Sequence, residues 1–107
     1  MTTDLEFAKQ ADQFMERIMQ ALTEFDPDEL DPDLAMGVLT MEFADGSKCI
    51  MNRQTAAHQI WLAVGVSAWH FAHDPASGAW LSTKTGDRLE DVLAAALTER
   101  LGRPVQL

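Results

Sequence analysis

The stretch from residue 38 to residue 64, VLTMEFADGSKCIMNRQTAAHQIWLAV, decides the fold. Its first six residues alternate, which places Leu39, Met41 and Phe43 on one side of an extended chain. Asp45-Gly46 follows, and this pair is typical of a type I′ turn, which needs positive φ at both central positions. The stretch therefore predicts a β-hairpin near the middle of the chain.

Further strands are predicted after this turn. They cover residues 48–52, 59–64, 68–73 and 79–83. A short connection lies at residues 53–57, and the segment 74–78 (DPASG) has the composition of a loop. Four or five consecutive strands with tight connections indicate an antiparallel meander.

Amphipathic helices are predicted on both sides of the meander. The first covers residues 3–25, opens with a capping-box spacing and ends before Pro27. The second shows the same spacing at Asp87 and Glu90 and ends at Gly102, where a left-handed C-cap is expected.

The order of these elements predicts an α+β fold. We expect a two-layer α-β sandwich, with the N- and C-terminal helices packed on one face of an antiparallel sheet of about five to six strands. The chain is expected to form a single domain over residues 1–107, because this length supports one modest core. The 47% apolar composition, with three Trp and five Phe, argues against disorder.

The charge is concentrated at the N-terminal end. Ten of the 17 carboxylates lie in the first 33 residues, where Lys9 and Arg17 are the only bases. This asymmetry indicates an interaction surface for cations or a basic protein, and the net charge of −9 argues against nucleic-acid binding. No apolar run approaches the ~20 residues of a membrane span. Because Cys49 is the single cysteine, we expect a reducing compartment, the cytoplasm.

The predicted strand at 59–64 has an outward face as well as a buried one. If Ile60 and Leu62 point into the core, Trp61 points to the solvent side of the sheet. The polar residues expected beside it are Asn52, Gln59 and His70. A tryptophan with amide neighbours on an open sheet is typical of an interface anchor. A one-residue change of register would instead bury Trp61, and periodicity alone leaves both arrangements open.

The acidic segment after the first helix offers oxygen ligands. Its carboxylates are Glu24, Asp26, Asp28, Glu29, Asp31 and Asp33. Carboxylates without nearby His or Cys suit hard cations. An EF-hand is excluded, because the loop that starts at Asp26 has Asp31 at its sixth position, where glycine is required. A metal site here should be weak, open and rich in water ligands, and the alternative is a solvated acidic face.

Catalytic sites and histidine metal sites are not predicted. His70 and His73 are three residues apart in a predicted strand, so they point to opposite faces. Cys49 is expected to pack as a small strand residue. The sequence has no phosphate loop, dinucleotide fingerprint or nucleophile elbow. We therefore expect a binding protein rather than an enzyme.

Several motifs, in order along almost the whole chain, resemble the frataxin family and specifically its bacterial CyaY-type members. The matching stretches are Ala11-Asp12-Gln13, Gly37-Val38-Leu39-Thr40, Asp45-Gly46-Ser47-Lys48, Asn52-Arg53-Gln54, His58-Gln59-Ile60-Trp61-Leu62-Ala63, His70-Phe71, Trp80 and Thr85-Gly86-Asp87. The run from His58 to Ala63 is the most specific of them. The resemblance implies a frataxin-like domain in which two helices pack on an antiparallel sheet, in agreement with the pattern analysis.

The resemblance also implies a function. Such a protein is an iron chaperone and regulator of iron–sulfur cluster assembly, which binds Fe²⁺ and Fe³⁺ weakly at an exposed acidic ridge and docks onto the cysteine desulfurase and the scaffold protein. The implied iron-binding residues are Glu16, Glu24, Asp26, Asp28, Glu29, Asp31 and Asp33. The implied partner contacts are Asn52, Gln54, Gln59 and Trp61. We expect a monomer, and oligomerisation with excess iron is left open.

One departure from the family pattern concerns the acidic ridge. Gln20, Ala21 and Thr23 occupy the late helix, where bacterial relatives often place acids, so the ridge is shifted into the turn. Two other functions are left open. One is an iron-storage or ferroxidase-type protein that oxidises Fe²⁺, although no Glu-x-x-His pair of a di-iron centre is present. The other is an acidic adaptor without a physiological metal.

Overall fold

The computed structural model of the chain describes residues 2–107. Two helices flank six strands, in the order α1 (Asp4–Leu22), β1 (Leu30–Ala35), β2 (Val38–Phe43), β3 (Lys48–Gln54), β4 (Gln59–Val64), β5 (Ser67–His73), β6 (Trp80–Ser82) and α2 (Leu89–Leu101), with a single 3-10 turn at Thr55–Ala57. The strands form one antiparallel sheet in sequential order, from β1 to β6. Both helices pack on this sheet, so the predicted two-layer sandwich is confirmed.

The strand between α1 and the hairpin was missed from the sequence. The prediction treated residues 24–33 as an acidic turn, whereas residues Leu30–Ala35 pair with β2 as the first edge strand. Leu30 is buried and Asp31 is exposed, which is the ordinary alternation of a half-buried strand. Pro32 concealed this pattern, but an edge strand tolerates proline because one side of its backbone needs no ladder hydrogen bond.

The helix boundaries also differ from the prediction. Helix α1 begins as expected, with Thr3 Oγ1 accepting a hydrogen bond from the Glu6 N–H at 3.1 Å, but it ends at Leu22, three residues early. The capping box predicted at Asp87 and Glu90 is wrong: Arg88 is the N-cap of α2, without a side-chain cap hydrogen bond. The Asp87 carboxylate instead accepts a hydrogen bond from Thr85 Oγ1 at 2.8 Å. The expected left-handed C-cap at Gly102 is confirmed (φ 72°).

The core lies between the helices and one face of the sheet. It consists of the inward residues of the strands together with one stripe of each helix, for example Phe7 and Met15 from α1 and Leu93 from α2. Cys49 and Met51 are fully buried on β3, while Ile50 between them is exposed. The opposite face of the sheet is therefore open, as expected. No helix within residues 2–107 is long and apolar enough to cross a membrane.

Candidate binding surfaces

The seven predicted iron-binding carboxylates follow one edge of the molecule, formed by α1, the turn after it and β1. We call this set the carboxylate ridge; it comprises Glu16, Glu24, Asp26, Asp28, Glu29, Asp31 and Asp33. Six members are exposed and Glu29 is half-buried. Glu16 lines a shallow cleft together with Leu34 of β1 and with Met36, which follows that strand. The ridge therefore includes both the helix and the edge strand beside it.

The turn from α1 into β1 is fixed by Asp26. Its carboxylate accepts a hydrogen bond from the Asp28 N–H at 2.9 Å. Its carbonyl accepts hydrogen bonds from the N–H groups of Glu29 and Leu30, both at 2.9 Å. One carboxylate oxygen of Asp26 thus shapes the turn while the side chain remains exposed, so the turn presents its acids in a defined local arrangement.

Glu29 differs from the rest of the ridge because it has a cationic partner. The Arg103 guanidinium donates hydrogen bonds to both carboxylate oxygens of Glu29, and the second of these spans 2.8 Å. These hydrogen bonds, more than the charge attraction that accompanies them, lower the pKa of the Glu29 carboxyl. Among residues 2–107, the other six ridge carboxylates form no ion pair. Glu29 is therefore the ridge member least available to an external cation.

A further carboxylate joins the ridge through the pairing of β1 with β2. Asp31 lies directly opposite Glu42, and Asp33 lies opposite Thr40, all on the open face of the sheet. Lys48 Nζ approaches Glu42 at 3.7 Å and offsets part of the like-charge repulsion. Sequence analysis missed Glu42 because its position beside Asp31 depends on the register of a strand that had not been predicted.

The ridge carboxylates do not converge on one point. Within residues 2–107, no group of three or more His, Cys, Asp or Glu side chains is arranged to hold a metal ion. Exposed carboxylate oxygens can still ligate a hard cation, with water completing the coordination shell. The arrangement suits weak and adaptable cation binding rather than a rigid site.

The open face of the sheet carries the second predicted surface, which we call the sheet patch: Asn52, Gln54, Gln59 and Trp61. In the register of β3 and β4, Asn52 pairs with Trp61 and Gln54 pairs with Gln59. Ile60 and Leu62 are buried, so Trp61 faces outward, which is one of the two arrangements that periodicity left open. The four side chains therefore form one contiguous patch.

Trp61 is held in place by two neighbours. Its indole N–H donates a hydrogen bond to Gln59 Oε1 at 2.8 Å. Its ring stacks on that of His70, the residue opposite it on β5, with centroids 4.3 Å apart. The sheet patch consequently presents an immobilised aromatic plane surrounded by amides.

A partly exposed ion pair connects the strand of the sheet patch to the helix of the ridge. Arg53 lies between Asn52 and Gln54 on β3 but points to the helix side. Its guanidinium donates hydrogen bonds to both carboxylate oxygens of Asp12 on α1, at 2.6 and 2.7 Å. This bidentate contact fixes α1 relative to β3. The chain separation of 41 residues hid it from sequence analysis.

The histidines and the cysteine have contacts within the fold. His70 and His73 lie on opposite faces of β5, as predicted, and His73 packs edge-on against Trp80 at 5.2 Å. His58 stacks on Phe7, and its Nε2 lies 2.6 Å from Asp4 Oδ1. Burial raises the pKa of the Cys49 thiol, which disfavours a reactive thiolate there.

The sequence is similar to a known protein family along nearly its whole length. The family model described as a frataxin-like domain matches residues 1–103. The iron–sulfur cluster assembly protein CyaY of Thioalkalivibrio sulfidiphilus is 43% identical over 105 residues, which is 97% of this chain and 98% of the relative.

Solved structures agree with this relationship. The frataxin of Psychromonas ingrahamii, a CyaY-family protein, superposes with a TM-score of 0.88 at 31% identity, covering 98% of this chain and 97% of that one. The trimeric frataxin of Saccharomyces cerevisiae, complexed with ferrous iron, gives a TM-score of 0.75 at 29% identity, covering 88% and 87%.

Proposed function

The chain belongs to the frataxin-like family, and we propose that it is a non-enzymatic, iron-binding accessory protein of iron–sulfur cluster assembly. The proposal includes docking on the cysteine desulfurase and its scaffold protein. Two relationships support it: a relative of 43% identity is an iron–sulfur cluster assembly protein, and a yeast frataxin of the same fold is complexed with ferrous iron. The observation that carries it is the exposed carboxylate ridge beside the sheet patch.

The ridge would act on iron and on a basic partner through the same electrostatics. Each exposed pair contributes roughly 0–1 kcal/mol, so binding depends on several carboxylates at once and weakens with salt. Iron is the cargo here: it would be held by carboxylate oxygens and water and released readily. The lack of convergence among the ridge side chains agrees with weak binding of this kind.

The ridge and the sheet patch can contact one partner together. Ala35 of β1, Val38, Asn52 and Trp61 stand opposite one another across four neighbouring strands. At ~4.8 Å per strand, Trp61 lies about 14 Å from the β1 edge. A standard protein interface is wide enough to cover both surfaces. The ridge would supply long-range attraction, and Trp61 with its amides would supply the buried contact.

Charge reversal tests the proposal. Asp26, Asp28 and Asp31 are changed together to Lys, and binding to the desulfurase–scaffold complex is measured by calorimetry at fixed ionic strength. We expect binding to be abolished, because the substitutions replace attraction with repulsion. The matched control is the triple change of Asp4, Glu6 and Asp74 to Lys, which shifts the net charge equally but lies outside the ridge and the sheet patch. Unchanged affinity in the ridge variant, or equal loss in both variants, would overturn ridge docking.

A ferroxidase or iron-storage role is the alternative. Fe²⁺ titrations with and without oxygen distinguish it from the proposal. A binding protein shows the same saturable, reversible binding in both atmospheres. Oxygen-dependent turnover that continues after the sites are filled would favour the ferroxidase.

A further inference from the structure

Half of strand β5 has an unpaired edge. Strand β6 is three residues long and pairs with Phe71, Ala72 and His73 only. One more hydrogen bond extends the contact, because the Thr83 N–H donates to the His70 carbonyl at 2.9 Å. Beyond that point, residues 67–69 have β4 on one side and, within residues 2–107, no strand on the other.

The unpaired backbone groups point into the open space. In an antiparallel strand, the N–H and C=O of one residue point the same way, and the direction alternates from residue to residue. Since the His70 carbonyl points toward the β6 side, both backbone groups of Ala68 do so as well. Ala68 is exposed and therefore offers a donor and an acceptor to an incoming strand.

A groove runs beside this edge. Its outer part lies between residues 67–70 of β5 and the segment 82–85. Its inner part, a cavity of about 420 Å³, lies between β5 and α2, and Trp69 and Ser67 line both parts. The small side chains of Ala95 and Ala96 on α2 leave the inner part open. An added strand would thus place alternate side chains against Trp69 and α2.

The rim of the inner groove consists of acidic side chains. Asp87, Asp91 and Glu99 line it, and none of them forms an ion pair within residues 2–107. The floor is apolar, formed by Trp69 and Val92 with the two alanines. A lysine or arginine suits this combination, because its methylene stem can cover the apolar floor while its cation reaches the carboxylates.

We propose that the free half of β5 and the adjacent face of α2 bind an extended basic segment of a partner protein by strand addition. Main-chain hydrogen bonds to Ala68 would supply affinity, and basic side chains facing Trp69 and the acidic rim would supply selectivity. This surface is separate from the carboxylate ridge, so its occupation does not depend on the proposed iron-binding role.

A synthetic peptide tests the inference with the full-length protein labelled with ¹⁵N. The probe is acetyl-VRVRVRV-amide, and its control has the same sequence and charge but is N-methylated at every residue, so that neither of its edges can donate ladder hydrogen bonds. We expect the probe to shift amide signals in residues 67–70, 83–85 and 91–99 and to slow hydrogen exchange at Ala68. The methylated peptide should bind at least tenfold more weakly.

Two protein variants complete the test. Ala68→Pro removes the free N–H at an edge position that tolerates proline. It should weaken binding of the probe peptide at least tenfold, while the amide signals of α1 and β1–β3 stay unchanged and show that the protein is folded. Ala95→Trp fills the groove and should weaken binding similarly, whereas Ala76→Trp in the exposed 74–79 loop should not. Equal binding of both peptides, shifts confined to the carboxylate ridge, or no shifts at all would overturn the inference.

Discussion

Trp61 and His70 stack on the open face of the sheet with their ring planes only 10° from parallel. They are direct neighbours on β4 and β5, and Gln59 accepts a hydrogen bond from the indole N–H. An aromatic side chain that is immobilised before binding loses little conformational entropy when a partner covers it. This pair is therefore the expected anchor of the sheet patch.

Replacement of Trp61 should separate binding from folding. Trp61→Ala should weaken binding to the desulfurase–scaffold complex at least tenfold, while the free energy of unfolding falls by only about 1–2 kcal/mol, because one stack and one partly buried hydrogen bond are lost. Chemical denaturation and calorimetry measure the two effects. The control is Trp80→Ala: Trp80 is 2% exposed, and its loss should cost about 3–5 kcal/mol. A Trp61 variant as unstable as the Trp80 variant would show that Trp61 serves the core.

Gly37 should be sensitive to substitution because of Arg53. Gly37 has φ +77°, and a Cβ there would lie 3.2 Å from the Arg53 guanidinium carbon. Gly46 has φ +84° with open space around it. Gly46→Ala should therefore lower the free energy of unfolding by about 1 kcal/mol, through backbone strain alone. Gly37→Ala should lower the free energy of unfolding, measured with denaturant, by more than Gly46→Ala does, because Arg53 must move as well. The difference should vanish when both substitutions are repeated in an Arg53→Ala background. Equal costs in the wild-type background would contradict this.

The Arg53–Asp12 pair should contribute a measurable coupling energy. The side chains are 28% and 45% exposed, and the contact is bidentate. A double-mutant cycle with Arg53→Ala and Asp12→Ala should give a coupling of about 1–2 kcal/mol in the free energy of unfolding. The same cycle on the exposed Lys48–Glu42 pair should give below about 0.5 kcal/mol. Coupling energies of the same size in both cycles would show that the bidentate contact stabilises the fold no more than an exposed ion pair does.

The Glu29–Arg103 contact should make stability depend on pH. The pKa of Glu29 is lowered in the folded state from its ordinary value of 4.5, so the stabilisation is present above that value and is lost as the pH falls through the lowered pKa. Arg103→Ala should therefore be less stable than the wild type at pH 7, with a difference that shrinks as the pH falls from 4.5 through the lowered pKa. Thermal unfolding between pH 7 and pH 3 measures this. Lys84→Ala, which removes an exposed base without an ion-pair partner in residues 2–107, should give a difference independent of pH.

Local patterns predicted most of the fold. The alternation around Asp45-Gly46 and the left-handed Gly102 depend on nearby residues, and the structure agrees with both. Periodicity left two arrangements of Trp61 open, and the structure has the outward one. Strand β1 was missed because Pro32 and the dense acids resembled a turn.

The missed features of the candidate site are long-range. The position of Glu42 beside Asp31 requires the register of β1, and the Glu29–Arg103 contact joins residues 74 positions apart in the chain. No local periodicity encodes such pairs, although charge and alternation identified most of the residues involved.

The most direct test of the iron-binding ridge is an anaerobic Fe²⁺ titration of ¹⁵N-labelled protein, followed by the paramagnetic broadening of each amide signal. We expect signals from residues 24–33, together with Glu16 and Glu42, to broaden first, while the Trp61 indole and the first turns of helix α2 remain sharp. Broadening that begins at His58 or His70, or that spreads evenly over the chain, would contradict it.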